Sequence, residues 1–347
     1  MLLGRLQSCL DPWEEVRILN RSARVGDCPV AAAALVRGGK SAGIYLLQYD
    51  PTLRERREEA ELAAMAAPLE RPRTHREELF APEDVRPNLP VEQLASISFG
   101  GVAYPVETDN CREVAEDWQA ILTVTYLLRA GWDMGDLAAC PTEGLYLSVY
   151  WLEGEFSALP EPEGPLTLVP QERTTSGLAA VDLTLPLGTW GPTLLDLPGG
   201  PTVYVTGASL HDPWKHQEEV FSHPKILAQF TPEQLAEGRA AAEKELAGRC
   251  PRGMAYPVVH YAAEGGVSIQ CYAKSWLDAP LPRPKDGIRD GFALILWERD
   301  APLGPHGLPR KQAVLSEVLV PLESQEAIQV GAVRWHRREA VVPLVLE

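Results

Sequence analysis

Three of the chain's seven histidines, His211, His216 and His223, fall in the stretch GASLHDPWKHQEEVFSHPK at residues 207–225. Imidazole is the commonest metal ligand in proteins and also serves as a general acid or base near neutral pH. The three are therefore candidate ligands for a divalent metal. Their spacing restricts the geometry. Asp212-Pro213 reads as a helix start, because the carboxylate accepts orphan amide hydrogens of the first turn and proline loses no donor there. His211 then precedes the helix, His216 points from its first turns, and His223 lies just past its end. Trp214, Glu218 and Phe221 share one side, and Pro224 closes the segment. Two imidazoles can converge from this arrangement; three require the chain to curl back. The plain alternative is a short surface helix whose histidines are solvated or hydrogen-bonded.

A second constellation follows if AYPVVHYA and VSIQCYAK form a hairpin over Glu264-Gly265-Gly266. With Gly265-Gly266 as a two-residue turn, Glu264 pairs with Val267 and His260 lies across from Cys271. Val258, His260, Ala262, Ile269, Cys271 and Ala273 then share one face. Val259, Tyr261, Ser268, Gln270, Tyr272 and Lys274 occupy the other. A facing imidazole and thiol can act as a nucleophile with its base, or as two metal ligands. Cys271 and His260 are thus the catalytic candidates. The alternative is a core cysteine packed on a backbone-satisfied histidine.

Two tempting motifs fail on stated grounds. A nucleophile elbow requires Gly-x-Ser-x-Gly, because its sharp turn leaves no room for a side chain at the last position. In Gly207-Ala208-Ser209-Leu210-His211 that position is His211. Gly39-Lys40-Ser41 resembles the end of a phosphate-binding loop, yet Ala34 stands where the first glycine belongs, and the following AGIYLLQY reads as a strand. Gly38-Gly39 is read as a hairpin turn instead.

The elements that must position these residues can be read from apolar periodicity and breakers. LRERREEAELAAMA (53–66) reads as a solvent-facing helix stopped by Pro68. Pro68, Pro72, Pro82, Pro87 and Pro90 mark an extended connection over 68–93. A buried helix is expected from Cys111 to Arg129, capped by Asn110 with Glu113 closing a capping box. Its apolar face would carry Val114, Trp118, Ile121, Thr125 and Leu128, widened by Leu122 and Leu127, with Gly131 at C′. TPEQLAEGRAAAEKELAG is a surface helix with Thr231 as cap, Pro232 at N1 and Gln234 at N3. Its apolar stripe is Leu235, Ala242 and Leu246.

From residue 145 onward strands dominate: LYLSVYWL, LTLV, AAVDLTLPL, TVYVTG, AYPVVHYA, VSIQCYAK, GFALILWE, AVLSEVLVPL, IQVGAVRWH and VVPLVL. The expected fold class is α+β, a mostly antiparallel sheet in the C-terminal two thirds with a few helices packed on it. The expected division is an N-terminal α/β segment, 1–93, ending in the proline-rich connection, and a β-rich main domain, 94–347.

At 347 residues the chain can bury a large core without staples. The formal charge of −16 opposes phosphate backbones, so nucleic acid is not an expected partner. The short basic run at Arg334–Arg338 lies between apolar stretches and reads as a solvated strand face. Six scattered cysteines without a CxxC pair argue against zinc ribbons and disulfide frameworks. No signal-peptide h-region and no apolar run of membrane length occur, so a cytoplasmic setting without membrane contact is expected.

No cofactor is implied; a divalent metal at the histidines is the open option. Nine tryptophans are available as contact anchors. The first expectation is a soluble, acidic, non-catalytic protein-interaction or assembly protein with a protein partner. The alternative is a metal-assisted or thiol-dependent, hydrolase-like enzyme built on the His/Cys cluster.

Overall fold

The computed structural model describes residues 13–66, 74–81, 85–281 and 303–347. They separate into two units: 13–66, 85–173 and 340–347 in the first, and 74–81, 174–281 and 303–339 in the second. The expected strand GFALILWE, together with Cys9, Pro68, Pro72 and Pro82, lies outside the described residues.

The first unit is built on an alanine-rich strand. β1 (Glu15–Val25), β2 (Cys28–Gly38) and β3 (Ser41–Tyr49) form a meander. The expected hairpin forms one residue further on: Gly38 pairs with Ser41, so Gly39-Lys40 is the turn. Gly39 opens it with a φ of 61°, a conformation that glycine adopts without penalty. Both faces of β2 are buried. Val30, Ala32 and Leu35 face one apolar cluster, and Ala31, Ala33, Ala34 and Val36 the other. A register shift between Ala32 and Ala34 changes which parity points inward, as a bulge does.

β4 (Leu94–Phe99), β5 (Val102–Glu113), β6 (Leu145–Leu152), β7 (Leu166–Pro170) and the C-terminal β16 (Leu344–Leu346) complete the sheet. Its order is β1-β2-β3-β6-β5-β4-β7-β16. Ser22 and Glu347 then exchange backbone hydrogen bonds of 3.1 and 3.2 Å, which bring the two edges together into a nearly closed eight-stranded barrel. The sheet is therefore not confined to the C-terminal two thirds. Alanine is a poor strand former in isolation, and the run PVAAAALV is strand because both of its faces are covered.

A barrel of this strand number is just wide enough to be filled by side chains. Here Leu35, Ile44, Leu46, Ile97, Tyr150 and Leu168 fill it. The buried Gln48 side chain donates to the Val91 carbonyl at 2.8 Å and accepts from the Val91 amide at 2.9 Å. The Tyr150 hydroxyl donates to the same carbonyl at 3.1 Å.

α1 (Leu53–Ala66) forms where its charge pattern predicted; α2 (His75–Leu79) belongs to the second unit. The buried helix starts later than expected. α3 spans Trp118–Arg129, and its cap is Asp117, whose carboxylate accepts from the Gln119 and Ala120 amides at 2.7 and 3.2 Å. Asn110 and Glu113 belong to β5, where Cys111 lies opposite Ser148 and Glu113 opposite Tyr146. The sheet ladder thus satisfies the backbone that the capping box would have served. Gly131 takes the expected left-handed conformation, φ 97°.

In the second unit, β8 (Arg173–Leu185), β12 (Val267–Ala273) and β15 (Ile328–Glu339) form one sheet, in the order β12-β15-β8. The other is β13 (Arg310–Val314), β11 (Met254–Ala263), β10 (Val203–His211) and β9 (Gly188–Leu195), with β14 (Val320–Pro321) also on β11. Val205, Ala208, Val259 and Tyr261 of the second sheet pack against Ile269, Cys271, Val330 and Val333 of the first. The chain is α+β with mostly antiparallel sheets, as expected.

The helices of this unit obey their local signals. α4 (Pro213–Ser222) is capped by Asp212, which accepts from the Trp214 and Lys215 amides at 3.0 and 3.2 Å. α5 (Pro224–Leu227) follows, then α6 (Pro232–Arg249), whose Thr231–Gln234 capping box is complete in both directions. α6 contains no buried residue. α7 (Lys274–Leu277) extends from β12.

Candidate functional site

The hairpin that would set His260 against Cys271 does not form. β11 pairs with β10, β13 and β14, while β12 pairs with β15. His260 lies opposite Gly207 and Gln312; Cys271 lies opposite Val333. Glu264 to Val267 still makes a turn, with the Val267 amide donating to the Glu264 carbonyl at 3.1 Å. Neither Gly265 nor Gly266 adopts positive φ, so the turn is not the primed type whose twist matches paired strands. The chain passes from one sheet to the other at this point. Gly266 has a different reason to be glycine: a Cβ there would lie 2.6 Å from the Arg338 carbonyl oxygen.

The assignment of faces changes accordingly. Val259 and Tyr261 point into the core with Cys271, whereas His260 alternates to the opposite face of β11. Cys271 is fully enclosed. Burial, with a smaller contribution from the Glu317 charge, pushes its thiol up to about 12. Burial of this kind disfavours the thiolate, which is the nucleophilic form, near neutral pH.

His260 instead meets a residue that the sequence did not nominate for it. The Ser209 hydroxyl and His260 Nε2 are 2.7 Å apart. Ser209 pairs with Val258, two residues from His260 on the same face of the neighbouring strand, so the contact is the diagonal one that antiparallel strands permit. The only signal was the string GASLH itself, set aside because His211 excludes an elbow. That exclusion holds, since Ser209 sits within β10 and not on a strand-to-helix turn.

The three clustered histidines separate into a pair and a cap. His211 ends β10 opposite Tyr256. His216 projects from the first turns of α4, and the two rings stand 5.4 Å apart between centroids, inclined at 57°. The His211 Nε2 atom is shielded from solvent and has no hydrogen-bond partner among the described residues. Burial depresses the basicity of His211, and the His216 charge adds to that effect. His223 does not join them. It caps α5, its Nδ1 accepting from the Lys225 amide at 3.3 Å. Among the described residues no group of three His, Cys, Asp or Glu side chains is arranged to hold a metal ion.

One further feature concerns α3. Of the face expected to be core, Leu127 is buried as expected, whereas Trp118, Ile121 and Leu128 are 40%, 46% and 38% exposed, and Thr125 between them is exposed too. Ala120 and Val124 join Leu127 in covering the barrel. α3 is thus apolar on two sides and buries only one. No helix among the described residues is long and apolar enough to cross a membrane.

Fold and site together define an α+β chain of a side-chain-filled barrel and a two-sheet unit, with a Ser–His contact and a His–His pair in the latter. Comparison with protein-family models, with curated proteins and with solved structures found no significant match.

Proposed function

We propose that the chain is a non-catalytic protein-interaction or assembly protein that receives a partner on the outer face of α3. The observation that carries this reading is the exposed row Trp118, Ile121, Thr125 and Leu128. Its steps of three, four and three residues are those of the seam between packed helices. Single exposed apolar side chains need no explanation, but a contiguous row marks an interaction surface. Tryptophan is among the residues that most often dominate such contacts. The charge of −16 adds long-range steering toward a basic partner.

The test is side-by-side capture, from the native host after crosslinking, of the tagged chain and its Ile121→Glu/Leu128→Glu double variant. A partner held by the first and lost by the second, at an unchanged unfolding midpoint, supports the reading. An identical set of partners, or none on either chain, contradicts it.

A second reading, a hydrolase-like enzyme, is favoured by one observation, the 2.7 Å contact between Ser209 and His260. A hydroxyl donating to an imidazole is the nucleophile–base arrangement of acyl transfer. Labelling of Ser209 by a fluorophosphonate, abolished in His260→Ala, would support it; an unlabelled native chain would remove it.

A further inference from the structure

We infer that His211 and His216 form a binding site for one divalent transition-metal ion of the zinc, nickel or copper type, joining the end of β10 to the first turns of α4. Zinc–imidazole bonds are about 2.0–2.1 Å, which puts each ring centroid about 3.2 Å from the ion and two tetrahedral imidazoles about 5.2 Å apart. The observed centroid separation is 5.4 Å, with the rings inclined at 57°. Inclined rings in plain contact stand at similar separations, as Trp13 and Tyr45 do at 5.2 Å and 64°, so the spacing admits a bridging ion and a further observation must point to one.

A second observation is independent of the spacing. His211 Nε2 is enclosed and unpartnered among the described residues. Buried polar atoms almost always find a partner, and an exception calls for a bound water or ion, strain or a chemical role. The position also favours order in the ligands. His211 is fixed by its pairing with Tyr256, and α4 is held at its start by the Asp212 cap, so both side chains leave a rigid backbone.

Glu219 lies three residues beyond His216 on α4, hence on the same side of the helix, and its charge is felt at His211. Its side chain is exposed and does not stand as a third ligand in the structure, so it would have to turn toward the ion, with water completing the shell. Two imidazoles and a carboxylate suit zinc, nickel and copper and do not suit magnesium or calcium, which require oxygen ligands. His223 takes no part, because its ring caps α5.

Calorimetric titration of the full chain, its thiols first alkylated, with zinc, nickel and magnesium chlorides tests the site. The expected result is one zinc or nickel ion per chain, with no magnesium uptake. His216→Ala, at an exposed position, should keep the fold and weaken binding at least tenfold, while His223→Ala leaves it unchanged. Glu219→Gln should weaken it less than His216→Ala does. Absence of both zinc and nickel uptake, or equal affinity in the native and His216→Ala chains, overturns the proposal.

Discussion

Arg57 of α1 and Glu113 at the end of β5 meet as a two-pronged ion pair, Nη1 to Oε1 at 3.0 Å and Nη2 to Oε2 at 2.8 Å. The Glu113 side chain is 5% exposed, and it also accepts from the Gly144 amide at 3.1 Å and the Tyr146 hydroxyl at 2.9 Å. One carboxylate therefore ties a charged surface helix to the barrel wall. Arg57→Ala leaves that carboxylate enclosed without its cation. A loss of roughly 3 kcal/mol is expected, the low end for breaking a buried pair because Arg57 is partly solvated. Urea denaturation of the two chains measures it; an unchanged midpoint would count against the role of the pair.

The same carboxylate gives the barrel an acid limit. Burial raises the Glu113 pKa, but Arg57, the Gly144 amide and the Tyr146 hydroxyl outweigh it and hold the group below its ordinary value. Asp50 behaves alike: burial raises it, and the Asn88 amide, the Thr52 hydroxyl and amide, and Arg56 bring it below. A carboxyl whose folded pKa is depressed contributes stability that is complete above its unfolded pKa and lost as pH falls through the folded one. The unfolded values are about 4.3 for Glu and 3.9 for Asp. The urea midpoint should therefore be insensitive to these groups at neutral pH and fall below about pH 4.5. Glu113→Gln should reduce that slope, and an identical acid profile in the variant would contradict the assignment.

Cysteine reactivity should follow burial. Cys111 is exposed, whereas Cys250 and Cys271 are buried. Of the five described cysteines, Cys271 should alkylate last and only on unfolding, with Cys111, an exposed residue whose thiol pKa burial nonetheless raises, well before it. Peptide mapping after a timed iodoacetamide pulse decides this; early modification of Cys271 would reverse the placement of β12.

Because α6 buries no residue, its caps matter more than its packing. Thr231→Ala removes the acceptor for the Gln234 amide and should cost about 1 kcal/mol of local helix stability. Faster amide exchange over residues 232–236 in the variant would report it, and unchanged exchange would not fit.

Close packing makes a further site sensitive. A Cβ at Gly177 would lie 2.6 Å from Trp335 Cζ2. Overpacking of this kind costs typically about 1–3 kcal/mol, so Gly177→Ala should lower the thermal midpoint. Trp335→Leu, which withdraws the indole, should relieve part of that penalty when combined with it.

Legibility in the sequence followed the range of the interaction that decides each element. LYLSVYWL became β6 residue for residue, and Asp212 and Thr231 capped the helices that they were expected to cap. These signals lie within a few residues. The false capping box at Asn110 and Glu113 had the same local form, yet pairing with β6, more than thirty positions away, kept those residues in a strand. Gly265-Gly266 marked a turn correctly but carried no information about which sheet the next strand would join. That choice, made by the pairing of β12 with β15, separated His260 from Cys271 and gave His260 to Ser209. On α3 the apolar row was readable, while its direction was not, because the helix has two apolar sides and the barrel selects Ala120, Val124 and Leu127.

The interaction reading is tested most directly by hydroxyl-radical footprinting of Trp118, Ile121 and Leu128, in the isolated chain and in the complex recovered by capture. The account predicts ready oxidation of all three in the isolated chain and a severalfold fall in the complex, with the already covered Leu127 unchanged. Protection in the isolated chain, or equal oxidation in both states, would contradict it.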